Sequence, residues 1–349
     1  MILRREELAL AREYAQSAST ESLTREQLKL VMDRGRALFH WYREHQAIHY
    51  AINIGVVALL LGGDFLILLR LPAVMLTGSG ADSFGSVLLA SLVCGGLHSY
   101  LLYSMSVFSL HEGAAHGIIF PGANRISRAC NWFAANMCRL AGSEPQYYAE
   151  HHMSHHSKFG TEGDGEFLNF VLPRRFWLSL LPFGAVLNYT DFVSHRPLHY
   201  TKGRFVSALV TLSYHVAYGL QMTQRFGATF TLLAFLLFLP HVGYFLDRLR
   251  QFSEHNLMPL DNKDGARSFG LGFWGLLIGG APWGSPCHWE HHLVASLPWY
   301  LQIRLHFYLK GLLTEAQKKQ FLLQPIVGYP KLLMRLWSEP HRFARRITL

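Results

Sequence analysis

Residues 87–116 read VLLASLVCGGLHSYLLYSMSVFSLHEGAAH: a long run without a formal charge, closed by two histidines, His111 and His116. As a helix rising 1.5 Å per residue, Val87 to Leu110 reaches about 36 Å, enough for the ~30 Å hydrocarbon core of a bilayer. Three other runs have the same character. Ile52 to Leu71 is apolar apart from Asp64 and Arg70, and Phe205 to Met222 and Thr229 to Leu246 carry no formal charge. Buried helices of a soluble protein account for one or two such runs, and four in one chain weigh against that reading. The expected fold is an all-α integral membrane protein with four transmembrane helices in two hairpins.

Charge placement gives a topology independently of hydropathy. The chain has 349 residues with 32 Lys+Arg against 23 Asp+Glu. The short connections and their helix edges hold only Arg70 and Arg225, and nearly all other basic residues fall within 1–49, 111–204 and 247–349. By the positive-inside rule these three stretches, both termini included, are expected in the cytosol; the expected location is a bacterial inner membrane rather than the endoplasmic reticulum. The basic excess is thereby explained without a nucleic-acid partner. With 50% hydrophobic and 16% charged residues, a disordered polymer is excluded.

The leading segment has no apolar core of signal-peptide type, since Arg4, Arg5, Glu6 and Glu7 interrupt it. Thr24 and Gln27 stand in capping-box spacing ahead of a helix expected to run through Tyr42. Phe176–Val193 and Phe269–Trp283 are interrupted by proline or glycine and are expected to be interfacial or re-entrant segments.

Histidine is the compositional anomaly, with 20 residues. Besides His111-Glu-Gly-Ala-Ala-His116, the chain contains Glu150-His-His-Met-Ser-His-His156 and His288-Trp-Glu-His-His292. The last two carry HxxHH (His152, His155, His156; His288, His291, His292), whose positions i, i+3 and i+4 share a helix face, so each box can aim three imidazoles at a common point. His151 leaves a second triad open, 151, 152 and 155. Ser143 and Gln146 suggest a capping box for the helix of the second box, with Pro145 in its first turn. Residues i and i+5 lie about 140° apart on an ideal helix, so His111 and His116 converge only where the helix ends, tightens or bulges, which Gly113 permits. The zincin motif HExxH is excluded because position 115 is Ala. The four cysteines, Cys94, Cys130, Cys138 and Cys287, show no CxxC spacing, so any metal would be held by imidazole. Eight box histidines exceed what one octahedral ion can use, which implies two metals.

His98, His215 and His241 lie in or beside spans and are expected in hydrogen-bonded helix packing. His40, His45, His49, His195, His199, His306 and His341 are expected at the interface or surface.

The order HxxxxH, HxxHH, HxxHH around two membrane hairpins, over about residues 50–310, resembles the membrane fatty acid desaturase superfamily of diiron enzymes. HEGAAHGIIF resembles the first-box surroundings of bacterial members, Asp164 stands eight residues after His156 where they often carry an acid, and HWEHHLVASLPWY resembles their third box. The resemblance implies two iron ions, O2 as co-substrate, a lipid or fatty acyl substrate, and insertion of a double bond into its alkyl chain. It also implies a further ligand after the last span, which His255 fits, with Gln251 four residues before it. Glu112, Glu254, Asp164 and Glu290 are available to accept from the outer imidazole N–H groups. The site would lie in a cytosolic helical cap. Residues 1–46 would be an amphipathic arm, 47–310 the membrane and catalytic domain, and 311–349 a basic tail.

A hydroxylase or ketolase on the same scaffold is the alternative, since substrate position decides the outcome. A metal transporter would instead place its histidines near the bilayer midplane. The chain has no iron–sulfur cysteine set, Gly-rich dinucleotide fingerprint or HPGG of a fused cytochrome b5 domain, so a separate ferredoxin or cytochrome b5 type electron donor is expected. Cytosolic basic residues, among them Arg304, Lys310, Lys318, Lys319, Arg335, Arg342, Arg345 and Arg346, would suit an acidic donor, and equally anionic lipid.

Overall fold

The computed structural model describes residues 21–77, 83–161, 164, 166, 202–255, 258–259 and 261–322, without the side chains of 236–241, 248 and 252. The segment expected between Phe176 and Val193 lies outside the described residues, as do His195, His199, His341 and the His241 side chain.

The described residues are helical, with one isolated bridge between Ser268 and Leu322 and no named strand. Two helices are long and apolar enough to cross a membrane. The first covers Gln46–Thr77, as α2 (Gln46–Leu69) and α3 (Leu71–Thr77); the second covers Phe84–Ala115, as α4 (Phe84–Phe108) and a π-helical turn Ser109–Ala115. Their burial pattern is inverted relative to a water-soluble helix. On α2 the inward stripe is His49, Asn53, Val56, Leu60, Asp64 and Leu68, while Ile54, Leu59, Phe65 and Leu66 are exposed. Large apolar side chains left in water each forgo about 1.5–3 kcal/mol of burial, so such a face calls for lipid.

A buried carboxylate ties these helices to each other and to a third. Asp64 on α2 accepts hydrogen bonds from His98 on α4 and from Tyr214 on α7 (Lys202–Phe226). His98 thus takes the packing role expected of it. The exposed stripe of α7, Phe205, Leu209, Leu212, Val216 and Leu220, is again apolar. A turn at Gly227 leads into α8 (Ala228–Leu232), a π-helical turn Leu233–Phe238 and α9 (Leu239–His255). Here α9 lies against α4 at Gly243, whose N–H donates to Ser99 Oγ at 2.7 Å. A Cβ at Gly243 would sit 2.9 Å from the Ser99 carbonyl oxygen, so only glycine lets the two backbones come this close.

Helix α1 (Arg25–Glu44) starts at the expected capping box: Thr24 Oγ1 accepts from Gln27 N at 3.1 Å and Gln27 Oε1 from Thr24 N at 2.9 Å. Its buried stripe Val31, Leu38 and Tyr42 packs on Trp289, Leu293 and Leu297 from the third-box region and on Leu301, Leu305 and Leu309 of α12 (Trp299–Leu312). Between them in sequence come α5 (Arg125–Asn136), α6 (Pro145–Lys158), α10 (Phe273–Ile278) and α11 (His288–Leu293); α13 (Glu315–Phe321) follows. Phe321 of α13 stacks on Trp289 with ring centroids 4.2 Å apart. The segment around α10 packs on α4: Tyr100 donates to the Leu276 carbonyl at 2.9 Å and Ser104 to that of Gly280 at 2.8 Å.

Two local expectations are corrected. The N-cap of α6 is Glu144, whose carboxylate accepts from Tyr147 N; Ser143 lies one residue too early, while Pro145 does occupy the first turn. His49 and His306 are buried instead of superficial, because each has a polar partner inside: Tyr300 at 2.6 Å for His49 and Glu290 at 2.7 Å for His306.

Candidate metal centre

The histidine boxes sit on three supports. His111 lies within the π-helical turn that ends the second apolar helix and His116 is its C-cap, and their ring centroids are 5.6 Å apart. The wider turn brings i and i+5 together, and Gly113 lies where a Cβ would meet Ala135 Cα of α5 at 3.1 Å. The second box is on α6, the third on α11, and His255 is the last residue of α9.

Nine imidazoles meet in two adjoining groups. His111, His116, His152 and His291 form one, and His155, His255, His288 and His292 the other, with the ligand atoms of each group within 4.8 Å of one another. His156 joins the first group, its Nε2 being 3.1 Å from His152 Nε2 and 2.8 Å from His291 Nε2. Each HxxHH box is therefore divided between the groups, contrary to the expectation that its three imidazoles share a point. In both boxes positions i and i+4 go to one group and i+3 to the other. Positions i+3 and i+4 differ by about 100° around a helix, so one short helix faces two centres. His151 enters neither group: its Nδ1 lies 2.9 Å from the Tyr147 carbonyl and its ring packs on Tyr147.

Outer partners fix how the rings point. His155 Nδ1 lies 2.9 Å from Asp164 Oδ1, His152 Nδ1 2.9 Å from Glu166 Oε1, His255 Nδ1 2.9 Å from the Gly265 carbonyl and His292 Nδ1 3.0 Å from Asn262 Oδ1. Nδ1–H donates to these acceptors, so each Nε2 carries its lone pair inward. Inward nitrogens nevertheless approach closely, with His288 Nε2 2.9 Å from His255 Nε2 and 3.2 Å from His292 Nε2. Such lone pairs repel unless a cation lies among them. Two nitrogens each about 2.1 Å from one ion and at right angles would be about 3 Å apart, matching this spacing. His111 Nε2 and His116 Nε2 are buried without a hydrogen-bond partner, which fits ring nitrogens that ligate a metal.

Burial keeps most of these rings neutral, the state in which they bind metal. It lowers His116 to about 4, and together with His152 and His155 it lowers His156 to about 2. His152, His255, His288, His291 and His292 are pushed well below the ordinary imidazole range, chiefly by burial. His155 is the exception: burial lowers it, but the hydrogen bond to Asp164 and nearby carboxylates raise it on balance.

The acidic residues singled out from sequence diverge. Asp164 contacts a box histidine as expected and also accepts from Gly160 N at 3.0 Å and Glu166 N at 2.9 Å, which braces the loop after α6. Glu254 Oε1 lies 3.5 Å from His288 Nδ1, and its carboxylate is held by Arg250 at 2.9 Å and Ser285 at 2.7 Å. Burial raises Glu254 to about 7 against the opposing pull of Arg250. Glu112 Oε1 lies 3.4 Å from His111 Nδ1, and its carboxylate also accepts from the Trp299 backbone N at 3.0 Å and from Gln302 at 3.5 Å, linking the π-helical turn to α12. Glu290, on the far side of α11, pairs with Ser268 and His306; with Cys287 they close a separate buried cluster. Gln251 donates to Asp247 at 3.2 Å rather than to an imidazole. Sequence reasoning missed Glu166, Asn262 and the Gly265 carbonyl. An acid two residues beyond Asp164 was a usable signal for Glu166, whereas nothing local marks Asn262, which sits 30 positions from His292.

The model of the family described as Fatty acid desaturase matches residues 82–322, more than two thirds of the chain. The chain belongs to that family. The match includes all nine converging histidines and ends one residue past α13. No curated protein matches the chain, and no solved structure matches it. Membership in the desaturase family implies an oxidoreductase acting on lipid, in keeping with the two apolar helices.

Proposed function

We propose that this chain is an O2-dependent diiron desaturase of a lipid alkyl chain. The observation that carries the reading is the division of nine imidazoles, seven buried and two (His116 and His156) half-buried, into two adjoining, inward-facing groups within a fatty acid desaturase domain. One iron ion would be held by His111, His116, His152, His156 and His291, the other by His155, His255, His288 and His292. Bound there, the ions would supply O2 activation and hydrogen abstraction from unactivated carbon.

The chain's own residues hold and orient. Asp164, Glu166, Asn262 and the Gly265 carbonyl keep each Nδ1 protonated and each Nε2 available. Burial of both groups excludes bulk water, which favours oxidation of substrate over futile reduction of O2. Removing two hydrogens from substrate while O2 becomes two waters requires two further electrons and two protons. A separate ferredoxin or cytochrome b5 type donor would deliver these electrons.

The lipid-facing stripes of α2 and α7 support a four-span arrangement, with α7 and α9 as the second hairpin and the metal groups at the cytosolic ends. The decisive experiment is expression in a host of defined lipid composition with 18O2. A product two hydrogens lighter and free of label is expected; label in the lipid would replace desaturation by hydroxylation.

A further inference from the structure

Helix α5 (Arg125–Asn136) lies across one end of the apolar hairpin. Near its start, Ser127 Oγ shares a hydrogen bond with the Tyr50 hydroxyl, close to the beginning of α2. Near its end, Ala135 Cα lies 3.1 Å from where a Cβ would sit on Gly113, in the π-helical turn that carries His111. Asp64 meets His98, and a Cβ on Gly63 would meet Leu101 at 3.4 Å, so α2 and α4 run antiparallel and Tyr50 and Gly113 mark the same end. About 18 Å long, α5 bridges the ends of the two apolar helices and continues neither.

The inward side of α5 is fixed by buried Ser127 and Ala134 and by Asn131, whose side chain donates to the Phe120 carbonyl at 2.8 Å and accepts from Phe120 N at 2.9 Å. The other side exposes Ile126 (69%), Trp132 (69%) and Phe133 (51%) together with Arg125 and Arg128. At about 100° per residue, Ile126 and Phe133 share one edge of this face. Arg128 lies about 140° round from Phe133 on the other edge, with Arg125 and Trp132 between them. Residues 113–143 contain no Asp or Glu. Of their three arginines, Arg139 is drawn inward by Glu144 at 3.2 Å, which leaves Arg125 and Arg128 as an unopposed positive edge.

An apolar edge, a tryptophan and a guanidinium edge on one exposed face suit the headgroup region of a bilayer: the apolar side chains reach the acyl boundary while the arginines stay at the phosphates. The height of the attachment agrees. The exposed apolar face of α2 begins at Ile48, 47% exposed and two residues before Tyr50, so the hydrocarbon boundary falls where α5 is tethered. We infer that α5 lies in the membrane interface and binds anionic phospholipid through Arg125 and Arg128. With no carboxylate in the segment, both guanidinium groups meet the negative surface potential of such a membrane undiminished.

Two measurements on the full chain in nanodiscs test this. Nitroxide labels at Ile126→Cys and Phe133→Cys, each in a Cys130→Ala background because the other three cysteines are buried, report depth through relaxation by O2, which concentrates in lipid, and by nickel-EDDA, which stays in water. Both sites are expected to show a higher O2-to-nickel ratio than headgroup-labelled lipid in the same discs. A ratio of the aqueous label would mean that the face meets water, and shielding from both reagents would mean that protein covers it; either result overturns the inference. For the charge, discs containing brominated phosphatidylglycerol or brominated phosphatidylcholine at equal mole fraction are compared, the quenching in wild type less that in Trp132→Phe reporting lipid at α5. Phosphatidylglycerol is expected to quench at least about threefold more effectively. The double substitution Arg125→Gln, Arg128→Gln should remove that preference while circular dichroism and iron content stay at wild-type values. Equal quenching by the two lipids in wild type, or a preference undiminished in the double variant, refutes anionic-lipid binding.

Discussion

Nε2 of His156, from the second box, lies 2.8 Å from Nε2 of His291, from the third. Two residues 135 positions apart therefore present lone pairs to one point, while their box neighbours His155 and His292 face the other group. If the groups hold separate ions, they can be emptied separately. His291→Ala is expected to lower bound iron from about two to about one per chain, and His292→Ala to do the same through the other group, each abolishing product formation. Elemental analysis of the purified variants checks this, and two irons retained in His291→Ala would contradict the assignment.

The acceptors behind the imidazoles make a graded prediction. Asp164→Ala removes the partner of His155 Nδ1 and two backbone anchors of the loop, and Glu166→Ala removes the partner of His152 Nδ1. Loss of such a partner typically costs about 10–100-fold in metal affinity or activity. Chelator competition should show the Asp164 variant losing metal more readily than wild type, with Glu166→Gln milder than Glu166→Ala.

Acid should unfold the metal-free chain. Burial lowers His116 to about 4 from an ordinary 6.5, so an unfolded chain takes up a proton as pH falls through 6.5 while the folded chain resists until about 4. The stabilisation is present above about 6.5 and lost progressively as pH falls toward 4, about 3 kcal/mol for this one group to order of magnitude. His156 acts in the same sense. Denaturant midpoints of metal-free protein in detergent should drop between pH 7 and pH 5; flat midpoints would refute it.

The pairing of Asp64 with His98 and Tyr214 ties three helices together away from the metal groups. Asp64→Ala leaves the buried His98 and the half-buried Tyr214 without their acceptor, at a cost of about 1–3 kcal/mol for the buried group. Thermal stability in detergent should fall clearly, while the iron content of folded protein stays at the wild-type value. Loss of iron without loss of stability would point to a different role.

Phe321 lies beyond the 47–310 domain expected from sequence, yet it packs on the third box. Its ring stacks on Trp289, between His288 and Glu290 of the third box. Phe321→Ala should destabilise the fold by about 3–5 kcal/mol, the usual cost of emptying a buried aromatic site. Circular dichroism melting checks it, and an unaffected melt would make residues beyond 311 a dispensable tail.

The linear chain by itself determined the class of molecule. Uncharged runs of bilayer length and repeated histidines are local signals, since hydrophobicity, charge and i, i+3, i+4 spacing act within a few turns. The capping box at Thr24, the need for a bulge between His111 and His116, and the pairing of Asp164 with the second box were legible for that reason. What only the tertiary structure decided depends on contacts between distant segments. The split of each HxxHH box between two groups follows from where α6 and α11 face each other, and Asn262 reaches His292 through a loop with no periodicity. Glu290 carries the same chemistry as Asp164 but points away from the nine converging imidazoles and toward His306, because a carboxylate's role is set by the direction its helix face takes in the packed molecule.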